Sequence, residues 1–128
     1  MHTTNNTDTF TSVAPDCPES VAEVPPERAT PSVARLQYDM LVDAPYRYTS
    51  DDVVHASQGE RRGIDRDTFF SKGQPCMRAS PLVKRYGWGV HHDAEGRIAL
   101  VPVESAEYAA FAADVDLTQA SGMRSSRA

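Results

Sequence analysis

The chain has 128 residues, 40% hydrophobic and 24% charged, which is ordinary for one soluble globular domain. Its net charge of −5 argues against general nucleic-acid binding, because that affinity rests on surplus Lys and Arg at phosphates. No apolar run approaches the ~18 residues a membrane helix needs. The first residues, MHTTNNTDTF, show neither the basic nor the apolar region of a secretory signal, so the cytoplasm is the expected location. Cys17 and Cys76 lie far apart without CxxC spacing, and both are expected to be reduced.

Residues 8–14, DTFTSVA, are β-branched and aromatic and predict a short strand that ends at Pro15. Residues 15–31 hold Pro15, Pro18, Pro25, Pro26 and Pro31, and predict a loop or extended arm. Thr30-Pro31 reads as an N-cap and first helical residue. Val33, Leu36, Met40 and Leu41 share one helical face, although Ala34, Leu36, Tyr38 and Met40 also alternate as a strand would. The start signal favours a helix over 31–43.

Thr49-Ser50-Asp51-Asp52 is an N-cap cluster, and predicts a helix from about Ser50 to Glu60, with Gly63 as its terminator. Asp65 to Lys72 predicts a short helix that buries Phe69 and Phe70, with Gly73 past its end. Ser80-Pro81 repeats the cap-plus-proline start, and Gly87 closes that helix. Trp88–His92 and Arg97–Val103 predict an antiparallel hairpin about the turn Asp93-Ala94-Glu95-Gly96. Trp88 is expected to be buried. SAEYAAFAA, residues 105–113, predicts an Ala-rich helix. The tail 115–128 is polar and is expected to be partly mobile unless Arg124 and Arg127 are tied down. These elements predict an α+β fold: a short antiparallel sheet around the 88–103 hairpin, with helices on one face.

The motifs MHTTN, DTF, VAPDCP, LQYD, PYRYTSDDV, FFSKGQPCMRASPLVKRYGWGVH and MRSSRA span nearly the whole chain. Through them the chain resembles a family of small bacterial proteins known as domain of unknown function 6157. The resemblance implies a single-domain bacterial protein and no assigned chemistry. HASQGERRG is more polar than the matching family segment, which leaves the extent of the Ser50 helix open.

Charge is uneven. Residues 1–60 hold ten acids and three bases, whereas residues 61–97 hold eight bases and four acids. Arg78, Ser80, Lys84 and Arg85 surround the Ser80 helix start, whose first N–H groups carry partial positive charge. They form a candidate site for a small anion such as phosphate or carboxylate. The same cluster could instead pair internally with Asp51, Asp52 or other acids of the acidic first half. Cys76 is the candidate catalytic residue, as a thiolate favoured by neighbouring cations, against the plainer reading of a buried small hydrophobe. Tyr86 and Trp88 could stack a ring.

Other chemistries are excluded by spacing. Leu82 stands six positions after Cys76 where a phosphatase loop needs Arg, and no P-loop, dinucleotide fingerprint, GxSxG or HExxH occurs. His91 and His92 are adjacent, so on a strand they point to opposite faces and cannot readily chelate one ion. No metal or cofactor is expected. The residues fit a binding module for a small anionic ligand or a protein partner. The alternatives are a small enzyme or redox-responsive protein using Cys76 as a thiolate, or a structural or regulatory partner with no small-molecule site.

Overall fold

The computed structural model describes residues 2–125. Strand β1, Thr9–Ser12, precedes an arm over 15–32 with no regular element. Helix α1 spans Val33–Leu41. Its N-cap is Ser32, whose hydroxyl accepts from the Arg35 amide, and not Thr30. Pro31 sits before the cap, and its carbonyl accepts from Arg61. The buried stripe of α1 is Ala34, Gln37 and Leu41, while Val33, Leu36 and Met40 flank it half-buried. The apolar face read from sequence is therefore rotated, because a polar Gln37 is satisfied inside the core.

Helix α2, Ser50–Val54, starts with a complete capping box between Thr49 and Asp52. It does not run on as regular helix to Glu60. A π-helical turn, His55–Gly59, and a 3₁₀ turn, Glu60–Arg62, continue it to Gly63. Helix α3, Arg66–Phe69, is capped by Asp65 and buries Phe69. It stops at Phe70, short of Gly73. A 3₁₀ turn, Met77–Ala79, leads into α4, Pro81–Lys84, with Ser80 as N-cap and Pro81 at its start.

Strands β2, Trp88–His92, and β3, Ile98–Pro102, pair antiparallel, with Val90 opposite Leu100. Gly96 turns the hairpin at a positive φ of 79°, a conformation that costs glycine little. Helix α5, Ala106–Ala113, follows, capped by Ser105. Strand β4, Thr118–Ser121, lies where a mobile tail is expected. It pairs parallel with β1, Thr9 opposite Thr118. Arg124 is exposed, and Arg127 lies outside the described residues.

The sheet order is β3-β2-β1-β4, so the α+β fold carries a mixed sheet, not a wholly antiparallel one. Helices also pack on both faces. Val90 and Ile98 join Leu41, Val53, Val54, Phe69, Phe70, Met77 and Val83 in the main core. Trp88 packs with Ala34 and Leu82 on the same side. On the opposite face α5 lays Phe111 flat on His91, with ring centroids 4.2 Å apart, and sets Tyr108 edge-on to Phe10. Alternation along β2 decides this division, since His91 and Val90 must face opposite ways. Trp88 is buried, at 9% exposure, as its place in the hairpin predicts.

Candidate functional site

The sequence cluster around α4 separates in the structure. Ser80 is buried, donates to Oε1 of Gln37, and accepts from the Leu82 amide at 3.2 Å. Its backbone carbonyl takes the amides of Val83 and Lys84. The N–H groups at the start of this four-residue helix are therefore occupied within the chain. Arg78 does not line the cleft that Lys84 and Arg85 border, and its Nε donates to the Ser121 carbonyl at 2.6 Å. The Arg78 carbonyl in turn accepts from the Met123 amide. Asp51 and Asp52 do not neutralise the cluster through ion pairs. Asp51 accepts from Thr3 and Thr4, and Asp52 pairs with Arg66 at 2.7 Å.

Lys84 and Arg85, at the other end of α4, do meet at one place. They line a cleft of about 290 Å³ together with Arg28 from the arm. Ser32, Val33 and Ala34 at the start of α1, with Ala79, Pro81 and Tyr86, complete its lining. Among the described residues, Arg28, Lys84 and Arg85 make no ion pair, in contrast to Arg35, Arg66 and Arg97. No acidic residue stands in the first turn of α1. The free amides of that turn add partial positive charge at the same wall. Three cations thus line one cleft whose own lining, among the described residues, holds no carboxylate, although Arg28 also borders a neighbouring cleft with Glu27 and Asp39.

Arg28 and Ser32 escape a reading by proximity in sequence, since the chain between them and Lys84 runs through most of the fold. The one local sign is an isolated base inside the proline-rich PPERATPS segment. Trp88 is not available for ring stacking, because it is buried against Ala34, Leu82 and Tyr38, with its indole N–H donated to the Glu23 carbonyl at 2.8 Å. Tyr86, half-buried, keeps a place in the cleft wall.

Cys76 is half-buried at the start of the 77–79 turn and does not line this cleft. Cys17 is also a free thiol. Among the described residues no group of three or more His, Cys, Asp or Glu is placed to hold a metal ion. His92 is buried beside Thr11, and burial first, then the neighbouring His91, pushes its pKa down to about 4. His91 faces the other way, with Nδ1 2.8 Å from the Tyr46 hydroxyl. Burial lowers the His91 pKa, opposed by Asp93, Asp114 and Asp8.

A family model described as a family of unknown function, DUF6157, matches residues 1–128. No curated protein and no solved structure matches the chain. Among the described residues no helix is long and apolar enough to cross a membrane.

Proposed function

Starting from a chain that belongs to the DUF6157 family of unknown function over its whole length, we propose that it is a binding module for a small oxyanion. The ligand group is phosphate-like and sits between Arg28, Lys84 and Arg85. The observation that carries this reading is three cations around one cleft that make no ion pair among the described residues. Two like charges ~4 Å apart repel by about 4 kcal/mol at an effective dielectric near 20, and even at several times that spacing the repulsion favours a counter-anion. A multiply charged oxyanion supplies that balance and has acceptor oxygens enough for several donors. The cleft has room for a phosphoryl group with a small substituent alongside Tyr86. We place the module in the bacterial cytoplasm, a reading supported by its two free thiols. The reading routes no chemistry through Cys76, which lies outside the cleft wall.

The test is the melting temperature with and without inorganic phosphate at constant ionic strength. A ligand that binds the folded state raises it. The wild type should gain stability with phosphate, and Lys84→Gln/Arg85→Gln should not. Equal responses in both proteins, or none in either, would overturn the reading.

A further inference from the structure

We infer that the arm segment 19–31 is a strap that an oxyanion in the cleft locks shut, with Trp88 reporting its state. This rests on the anion-binding reading of the cleft and adds a conformational consequence to it.

The fixed points of the strap are unequally placed. Before Arg28 it is stitched down: the Ala22 amide donates to the Glu104 carboxylate at 3.0 Å and the Glu23 amide to the Tyr86 carbonyl at 2.8 Å. The Trp88 indole donates to the Glu23 carbonyl, and Arg35 reaches the Pro25 carbonyl at 3.0 Å. After it, Arg61 holds the Pro31 carbonyl. Between these stitches, Arg28, Ala29 and Thr30 are exposed and make no hydrogen bond among the described residues. The Glu27–Arg35 ion pair is a weak tether, because the Glu27 side chain is 82% exposed.

The free stretch is where the strap contributes its cation to the cleft. Lys84 and Arg85 line the same cleft as Arg28 and carry the same charge. With the cleft empty, Coulomb repulsion biases Arg28 outward. With an oxyanion bound, each cation is attracted to the shared anion and Arg28 is drawn in. The ligand favours the closed strap because only that form offers all three donors, and a ligand shifts a conformational equilibrium by such a differential affinity.

The consequence travels to Trp88. Pro25-Pro26 lies between Glu23 and Arg28, and two prolines in succession make a stiff, extended spacer. Arg35 holds the carbonyl of buried Pro25 within this spacer, so a shift at Arg28 reaches Glu23 through that held point, and the response at Trp88 is smaller than the change at Arg28. Glu23 holds the indole N–H of the chain's single Trp. The strap on one side and the cleft on the other meet again at Tyr86, whose carbonyl binds the strap and whose residue lines the cleft.

The experiment follows trypsin cleavage after Arg28 by mass spectrometry, alongside acrylamide quenching of Trp88, with and without inorganic phosphate at constant ionic strength. Phosphate should slow cleavage by about fivefold or more, the lower end of ordinary coupling between sites, and reduce quenching. Lys84→Gln/Arg85→Gln retains the scissile Arg28 and should lose both responses. If phosphate raises the melting temperature yet leaves cleavage and quenching unchanged, the strap is overturned and the binding reading stands. If none of the three responds, both fall.

Discussion

The Ser80 hydroxyl donates to Oε1 of Gln37 at 2.5 Å, inside the core. The Gln37 amide donates to Ser57, and Ser57 donates to the Val53 carbonyl. One buried side chain thus ties α1 to the π-helical turn and to α4. Ser80→Ala removes the α4 cap and leaves the Gln37 oxygen without a donor. The expected cost is about 2 kcal/mol in urea denaturation, combining a lost cap and an unsatisfied buried acceptor. In a double-mutant cycle with Gln37→Leu the two changes should couple by about 1 kcal/mol, and strict additivity would show that the bond contributes nothing.

Arg78 works on the sheet, not in the cleft. Its side chain and carbonyl engage Ser121 and Met123 beside β4, an edge strand of the sheet. Arg78→Ala should cost about 1 kcal/mol, the ordinary worth of one hydrogen bond. An uncovered edge also invites pairing between chains, so the variant should scatter more light on heating. Its response to phosphate should match the wild type, which separates Arg78 from Lys84 and Arg85.

His92 makes stability depend on pH in a defined window. Above about pH 6.5, the usual histidine value, His92 is neutral both folded and unfolded and contributes no slope. As pH falls, the unfolded chain takes a proton that the folded chain refuses until about 4. Stability therefore decreases from about pH 6.5 downward, by up to about 3 kcal/mol once the folded value is passed. His91, also lowered, acts in the same direction. Denaturation midpoints between pH 7 and 5 isolate the histidines from most carboxylates, and His92→Gln should flatten the slope there.

Gly89 is required by the approach of α5 to the sheet. A Cβ at that position would lie 2.8 Å from the Tyr108 ring and 2.9 Å from Phe10. Gly89→Ala must push the ring pair outward or strain β2, at a cost of about 1–3 kcal/mol for overpacking. Near-ultraviolet circular dichroism should lose part of its aromatic signal, since Tyr108 also accepts from the Val13 amide. An unchanged spectrum and midpoint would mean that α5 is not fixed by this contact.

The local elements were legible in the amino-acid sequence because their causes lie within a few residues. Thr49 and Asp52 build a capping box across one turn, Ser80-Pro81 starts α4, and Gly96 closes the hairpin at positive φ. The same locality made Lys84 and Arg85 visible as a basic pair and Trp88 as a core residue. What distance along the chain separates, only the tertiary structure decided. TQAS carries no strand pattern of its own, and becomes β4 because β1 offers it a free edge 109 residues away. Gln37 reads as a solvent-facing residue until Ser57 and Ser80 arrive to satisfy its amide. Arg28 joins Lys84 and Arg85, while Arg78 and Ser80 leave them, because sequence neighbours on a 3₁₀ turn and a short helix point in different directions. Caps and turns are short-range hydrogen-bond chemistry, whereas which charges share a cleft depends on how packed elements bring remote segments together.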